Sequence, residues 1–226
     1  MTKGNLISSM DEGVKKKLMT FFENYKLVGF KKGQIIFQPG DELHQVMFVK
    51  SGYARMYSLT KNGKEMTLPL MRPLFFASMV YAMTGMENHC FFEAISPTEV
   101  WVAPTSELND FLKKNKKTKD DLVRLVVNEF VDMTCNMQQL ISSDAAAKLA
   151  RIIEIIAARF GENKDGGVLV KFNTPHRLLA SMTGLTRETI TLQLIKMEKE
   201  GITENKNKRI LVKDWKRLKE MAGIEN

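Results

Sequence analysis

Met182-Thr183-Gly184-Leu185-Thr186-Arg187-Glu188-Thr189-Ile190 is the stretch of this chain that decides its fold. Apolar residues recur at helical spacing on both sides of it, and Thr174 is a suitable N-cap for the first of two helices. Gly184 tolerates the positive φ at which a helix ends, Thr186 can cap the second helix, and Gly201 can end it. Helix, tight turn and helix together predict a helix-turn-helix.

A short basic hairpin is expected after the second helix. Residues 202–204 and 209–212 have strand character, and the polar residues 205–208 separate them, which predicts a two-stranded wing. Residues 171–226 hold 12 lysines and arginines against 7 acidic residues, within a chain of net charge +8. This basic surface fits the phosphate backbone of nucleic acid, although a basic tail on a globular protein has the same charge.

Base reading is the chemistry that this arrangement favours, because a helix-turn-helix presents the first turn of its second helix to the major groove. Arg187 can bind guanine O6 and N7 together, Glu188 can accept from cytosine N4, and Thr191 lies on the same face. The alternative is that these are solvated residues without a ligand. Contacts to phosphate, which position the protein without reading sequence, are predicted for Thr174, His176, Arg177, Thr186 and Lys208.

The first half of the chain is rich in short strands and turns. Strand-like residues occupy 34–37, 46–49, 53–59 and 65–70, and the turn at 61–64 between the last two predicts a hairpin. Regularly spaced short strands predict an antiparallel double-stranded β-roll, so the fold class of the chain is α+β.

A long helix is expected between these two regions, over about residues 119–141. Its apolar residues alternate at spacings of three and four, as in a coiled-coil seam, although a helix packed only on its own domain also has an apolar face. Ser142 and Ser143 interrupt the pattern as a hinge, Asp144 can cap a further helix over residues 145–160, and 161–167 read as a linker. The seam residues are Val123, Val126, Phe130, Met133, Met137 and Leu140.

These motifs resemble those of the Crp/Fnr family. The recognition helix of that family carries the pattern R-E-T-[VI]-[SG]-R, which this chain matches at Arg187, Glu188 and Thr189. The match ends at Leu192, where the family has a second base-reading arginine. Leucine can touch a thymine methyl, so Leu192 joins the candidate base-reading residues. In the first half, K-G-x-x-I-F-x-x-G-D, V-x-x-G-x-x-R and N-G-K-E are similar to the cyclic-nucleotide-binding-type sensor domain of the same family.

The resemblance implies a homodimeric transcription regulator that binds a two-fold symmetric site in double-stranded DNA. It implies an effector-sensing β-roll over residues 1–117, a dimerisation helix and hinge over 118–143, and a winged helix-turn-helix over 144–226. By family habit such a regulator is an activator, which has RNA polymerase as a partner. A rival from another class is a β-roll ligand-binding or interaction module that binds no DNA.

The sensor region predicts a small hydrophobic or aromatic effector rather than cyclic AMP. Residues 65–112 contain no lysine, and Arg72 is their only arginine, so they offer little positive charge to a phosphate. They also lack the Gly-Glu and Arg-Ser pairs of the family's cyclic-nucleotide pocket. Their aromatic and methionine content resembles the CprK-type, halogenated-phenol-sensing branch, although single residues of this kind are usually core. Candidate effector contacts are Phe75, Phe76, Met79, Tyr81, Met83, Phe91 and Met133.

Haem or redox sensing is an alternative for the same region. His44, and the adjacent His89 and Cys90, are residue types that can be axial haem ligands. No other cofactor and no metal site is expected, and the motifs of the common enzyme classes are not found. Cys90 and Cys135 make no disulfide scaffold, and no membrane span or signal peptide is recognised, so a cytoplasmic protein is expected.

Overall fold

The computed structural model of the chain describes residues 11–224. These residues form two compact units, which divide between Val131 and Asp132, inside one long helix. The three segments expected from the sequence, 1–117, 118–143 and 144–226, stay a prediction. In the described part, no helix is long and apolar enough to cross a lipid bilayer.

The N-terminal unit consists of helices packed on two antiparallel sheets. Its elements are α1 (Glu12–Phe22), β1 (Lys26–Phe30), β2 (Ile35–Phe37), β3 (Gln45–Ser51), β4 (Ala54–Leu59), β5 (Glu65–Met71), α2 (Met79–Thr84), β6 (Phe91–Ala94), β7 (Thr98–Pro104) and α3 (Thr105–Lys114). The strands pair in the orders β1-β7-β3 and β2-β6-β4-β5, and the hairpin expected at 61–64 joins β4 to β5. The predicted α+β roll is therefore confirmed.

Two groups of buried side chains hold this unit together. The first core lies between α1, α3 and the three-stranded sheet, and in it Phe22 stacks on Phe48 with ring centroids 4.5 Å apart. The second core lies against the four-stranded sheet, where Phe37 stacks on Phe92 at 3.7 Å. Burying an aromatic side chain of this size contributes about 1.5–3 kcal/mol to the free energy of unfolding.

The long helix predicted over residues 119–141 is confirmed as α4 (Lys116–Ser142). One of its faces is buried in the first core through Leu122 and Leu125. The predicted seam lies on a different face, on which Phe130 is 70% exposed in the single chain. Leu140, the last residue of the predicted seam, is half-buried. An exposed apolar face of this extent is typical of an interaction surface. The other exposed seam residues are Val123, Val126, Met133 and Met137.

The C-terminal unit begins in α4 and continues through a capped helix. Its further elements are α5 (Ala145–Phe160), β8 (Gly161–Lys164), β9 (Gly167–Val170), α6 (His176–Thr183), α7 (Arg187–Lys199), β10 (Thr203–Lys206), β11 (Arg209–Val212) and α8 (Trp215–Met221). Asp144 caps α5 as predicted, since its Oδ1 accepts from Ala147 N over 2.8 Å.

The linker expected over residues 161–167 is wrong, because β8 and β9 form a hairpin there. Asp165 and Gly166 make its turn with φ of 53° and 75°. An Asp-Gly pair between strands is a strong signal for such a turn, so the hairpin was predictable from the residues themselves. The hairpin completes a four-stranded sheet of order β10-β11-β9-β8, which packs on α5 through β8 and β9 and on α7 through β10.

The helix-turn-helix and its wing are confirmed as α6, α7 and the β10–β11 hairpin. Gly184 ends α6 with a φ of 73°, and the Thr186 hydroxyl caps α7 by accepting from Thr189 N over 3.1 Å. The predicted N-cap at Thr174 is wrong: α6 begins one residue later, with Pro175 as its N-cap. The reason is that the Thr174 amide donates to the Lys208 carbonyl oxygen over 2.9 Å, which ties this segment to the wing.

Candidate nucleic-acid interface

The first turn of α7 exposes the two residues expected to read bases. Arg187 and Glu188 are both exposed at the helix start, directly after the Thr186 cap. The pKa of the Glu188 carboxyl is lowered, first by a hydrogen bond from its own backbone N–H, then by the Thr186 hydroxyl and by the positive charge of Arg187. Glu188 is therefore an ionised group that only accepts hydrogen bonds, which is what a cytosine amino group requires.

Thr191, one helical turn after Arg187, is joined to the other helix of the motif. Its Oγ1 donates to the Arg187 carbonyl oxygen over 2.9 Å and lies 2.8 Å from His176 Nδ1. Thr191 and His176 are both half-buried. This link between the start of α6 and the second turn of α7 has no signal in the sequence, because the two residues are 15 positions apart and belong to different elements.

Leu192 and Ile195 make the continuation of α7 apolar. Leu192 is 67% exposed and Ile195 is 44% exposed, although large apolar side chains on a helix normally face the core. Leu192 follows Glu188 by four residues, so the two side chains lie on the same face. The face of α7 that carries Arg187, Glu188, Thr191 and Leu192 is called the reading face below. It is charged in its first turn, and Leu192 makes it apolar in its second.

The predicted phosphate contacts differ in how well the structure suits them. Arg177 and Lys208 reach the surface, and Lys208 lies at the wing turn with a φ of 65°. Thr174 is 5% exposed, and its hydroxyl is buried without a partner in the described residues. Its contact with phosphate stays a prediction. The hydroxyl of Thr186 and the imidazole of His176 are engaged within the motif, and their contacts with phosphate stay predictions.

Several basic side chains near the wing are neutralised by acidic neighbours. Lys206 lies 2.7 Å from Asp165 across the sheet, and Lys213 lies 2.5 Å from Glu204. Within residues 11–224, neither Arg187 nor Lys208 takes part in such an ion pair. Arg187 at the start of α7 and Lys208 at the wing tip are therefore among the positive charges left for an anionic ligand.

A polar cluster that the sequence did not reveal fastens α5 to the end of α4. Arg159 Nη2 lies 2.8 Å from Asp132 Oδ2, and Arg151 Nη2 donates to Asn136 Oδ1 over 2.7 Å. Arg151 also pairs with Glu154 at 3.0 Å, and burial raises the pKa of that carboxyl in spite of the nearby arginine. The cluster holds the helix that leads into the helix-turn-helix against the last turns of α4.

Several of the residues expected to bind an effector lie in the two cores of the N-terminal unit. Phe76 packs in the first core between Phe22 and Phe48, and its contact with an effector stays a prediction. Phe75 and Tyr81 pack on the second core and Met79 on the first. The side chain of Met83 lies outside the described residues, and the contacts of Phe75, Met79, Tyr81, Met83, Phe91 and Met133 with an effector stay predictions.

A buried arginine on the roll is a second feature that the sequence did not reveal. Arg55 is 5% exposed, and its guanidinium donates to Glu93 Oε2 over 2.6 and 2.9 Å and to Glu65 Oε2 over 2.8 Å. The same group lies 4.3 Å above the ring of Tyr57, on which Phe91 stacks at 5.0 Å. Two carboxylates thus outnumber the one positive charge, and Arg55 offers no excess positive charge to a phosphate.

The candidate haem or redox residues differ in their surroundings. His44 and His89 are exposed, and His44 Nε2 lies 3.1 Å from Glu42. Cys90 is half-buried beside Tyr81, and burial together with the neighbouring Cys90 raises the pKa of Tyr81 to about 12. Among the described residues, no three histidine, cysteine or acidic side chains are grouped so as to hold a metal ion.

A winged helix-turn-helix preceded by a β-roll and a long helix defines a class: DNA-binding transcription regulators with an effector-binding domain. Family models agree with this class, as the cyclic nucleotide-binding domain matches residues 27–115 and the Crp-like helix-turn-helix domain matches residues 147–221. Together they match more than two thirds of the chain. The chain belongs to the Crp/Fnr family of transcription regulators, which are not enzymes.

Relatives and solved structures cover most of the chain. It is 25% identical to the global nitrogen regulator of Nostoc sp. over 79% of this chain and 82% of that protein. It is 26% identical to the fumarate and nitrate reduction regulatory protein of Vibrio cholerae over 86% of this chain and 77% of that protein. A Crp/Fnr regulator from Thermus thermophilus superposes with a TM-score of 0.71 at 25% identity, covering 88% of this chain and 98% of that one.

A structure of CprK complexed with OCPA is also similar, with a TM-score of 0.67 and coverage of 91% of this chain and 93% of that one. The identity is 15%, so this likeness shows the fold alone. The halogenated-phenol-sensing branch expected from the sequence is not confirmed.

Proposed function

We propose that this regulator is a homodimer whose two α7 helices read base edges in successive major grooves of a two-fold symmetric DNA site. The observation that carries the proposal is the exposed pair Arg187 and Glu188 on the capped first turn of α7. A planar donor and an ionised acceptor side by side are suited to a half-site containing G·C pairs. Activation of transcription through RNA polymerase, in the cytoplasm, completes the proposal.

Selection of binding sites from a random DNA library tests the proposal. The wild-type protein is expected to enrich a palindrome whose half-sites are about one helical turn apart. Arg187→Ala is expected to lose about 1–3 kcal/mol of discrimination at one base pair of each half-site. Lys196→Ala, which removes an exposed charge from the far end of the same helix, is the matched control and should keep the wild-type preference. Equal weakening of every sequence by Arg187→Ala would overturn base reading by this residue.

We also propose dimerisation through the exposed seam of α4. Phe130 and Met137 lie on it, and 60% of Met137 is exposed in the single chain. Residues that alternate at three and four positions form a seam with the same helix of a second copy, and a two-fold dimer matches a palindromic site.

For the effector we propose a small apolar or aromatic molecule, of which a halogenated phenol is one candidate, and no response to cyclic AMP. Two observations support this proposal: Arg55 is already paired with both Glu65 and Glu93, and residues 65–112 carry little positive charge. Titration with cyclic AMP up to about millimolar concentration should leave DNA affinity unchanged, since a phosphate binds weakly without a donor of positive charge. Tighter DNA binding at micromolar cyclic AMP would contradict it.

A redox- or haem-sensing regulator is the second candidate for the effector domain. Similar proteins include the electron transport regulator A of Shewanella oneidensis, 26% identical over 85% of this chain and 77% of that protein. In this chain the residue types for such a role are His44, His89 and Cys90. Absorption spectra of the purified protein after addition of haem decide the question, because a bound haem gives a Soret band that persists through gel filtration, whereas unbound haem is removed.

A further inference from the structure

The hydroxyl of Thr191 is committed inside the helix-turn-helix. It has a single proton, and the Arg187 carbonyl oxygen, 2.9 Å away, can only accept it. The 2.8 Å contact with His176 Nδ1 can exist at the same time if the imidazole carries its proton on Nδ1. The imidazole then donates to the Thr191 hydroxyl oxygen. The group of Thr191 that makes no hydrogen bond is its γ-methyl.

The second turn of the reading face carries the apolar Leu192 beside a threonine whose hydroxyl is already hydrogen-bonded. Thr191 lies one turn after Arg187, and the 67% exposed Leu192 lies one turn after Glu188. In the major groove, the C5-methyl of thymine is the apolar group on the base edges. A methyl and an isobutyl group have no complementary surface on guanine, cytosine or adenine.

We propose that the recognition helix reads two chemistries in each half-site: a G·C edge through Arg187 and Glu188, and thymine methyl groups through the Thr191 methyl and Leu192. His176 is a positioning residue, which turns the Thr191 hydroxyl away from DNA by donating to it. This inference rests on the proposed function, and it names the bases that the same interface selects.

Deoxyuridine substitution tests the inference, because it removes the thymine methyl and nothing else. In the site selected by the wild-type protein, each thymine of one half-site is replaced in turn. At two positions the affinity is expected to fall about fourfold, the effect of leaving one methyl-sized group unburied. The other thymines, and those outside the half-sites, should show no change.

Substitutions at Thr191 and Leu192 show which of these side chains contacts which thymine methyl. Thr191→Val keeps a methyl without the hydroxyl and should keep the deoxyuridine effect. Thr191→Ser keeps the hydroxyl without the methyl and should abolish the effect at one position, while Leu192→Ala should abolish it at the other. Thermal unfolding of each variant, together with its retained binding to the other half-site bases, shows that the fold is intact.

His176→Ala separates positioning from phosphate contact. If His176 is a positioning residue, His176→Ala should weaken the deoxyuridine effect at the Thr191 position. In a Thr191→Val background, the same substitution should have no further effect at that position. Equal weakening at every sequence would make His176 a phosphate contact instead.

The outcomes distinguish this inference from the proposed function. A wild-type protein that selects no sequence overturns the proposed function. A protein that selects a site without thymine in its half-sites, or that tolerates deoxyuridine at all of them, overturns the methyl reading alone. Loss of discrimination in Thr191→Val but not in Thr191→Ser would show that the hydroxyl, rather than the methyl, faces the base.

Discussion

At the scale of single residues, Glu188 is expected to set a base preference through its charge. Its lowered pKa keeps it ionised across the neutral range, so it accepts from cytosine N4 and cannot donate. Glu188→Gln introduces a side chain that donates and accepts, as adenine N6 and N7 require. Binding measured on a panel of half-sites should therefore show the preference moving from cytosine toward adenine at one position.

The control for this change is Glu220→Gln, which neutralises a carboxylate on α8, away from the reading face. It should leave the panel unchanged. A uniform gain in affinity for Glu188→Gln on all sequences would mean that the substitution removes only repulsion between Glu188 and phosphate.

Glu154 is expected to make stability depend on pH. Burial raises its pKa above the ordinary 4.5, so the folded chain holds this proton more tightly than the unfolded chain. The folded state then binds more protons between the two pKa values, and the free energy of unfolding falls as pH rises through that interval. Below a pH of 4.5 the penalty is absent, and above the folded pKa it is complete and constant.

Urea unfolding of the wild type and Glu154→Gln at a series of pH values measures this effect. The stability of the wild type relative to the variant should decrease as pH rises above 4.5 and then level off. A difference that is flat in pH, or that increases with it, would show that Arg151 outweighs burial.

At the scale of elements, the backbone of the wing turn is expected to be strained at Lys208, whose side chain gives the turn a positive charge. Lys208 adopts a φ of 65°, a region that glycine occupies without steric cost. Lys208→Gly should therefore raise the free energy of unfolding by roughly 0.5–1 kcal/mol. It should also lower DNA affinity and reduce the slope of log K against log salt by about 0.9 for each phosphate that a protomer no longer neutralises.

Lys208→Arg is the matched control, because it keeps both the charge and the strained backbone. Its stability and salt dependence should equal those of the wild type. If Lys208→Gly binds DNA with an unchanged salt slope, the wing tip does not touch phosphate.

The elements also show where sequence reasoning succeeds. The turn between α6 and α7 was predictable because Gly184 and Thr186 act on their immediate neighbours, through a positive φ and a helix cap. The predicted N-cap at Thr174 was wrong because the Thr174 amide donates to the carbonyl oxygen of Lys208, far along the chain. The residues around Thr174 carry no pattern that predicts this bond.

The same limit applies to the candidate site. Arg187 and Glu188 were found from a local pattern, whereas the contact of His176 with Thr191 depends on how two helices cross. Charges buried in pairs, such as Arg55 with Glu93, follow from strand register, which the sequence of one strand does not contain.

At the scale of the whole molecule, the proposed reading of a palindrome depends on a second copy of the chain. Phe130 is 70% exposed at the middle of the proposed seam, so a charge placed there would be buried without a partner in the dimer. Phe130→Glu should raise the dimer dissociation constant by on the order of 100-fold or more, since an unpaired charge costs several kcal/mol to bury. Sedimentation velocity over a concentration series measures the constant.

Cys135→Glu is the matched control, because it adds the same charge to an exposed position of α4 that lies off the seam. It should remain dimeric and bind the palindrome as the wild type does, whereas Phe130→Glu should bind a palindrome no better than a single half-site. Dissociation of both variants would indicate that any added charge weakens α4, and dimers of both would place the interface elsewhere. Each protomer carries the proposed base-reading turn of α7, so Phe130→Glu should keep the base preference for a single half-site. It should lose the gain in affinity that comes from binding two half-sites at once.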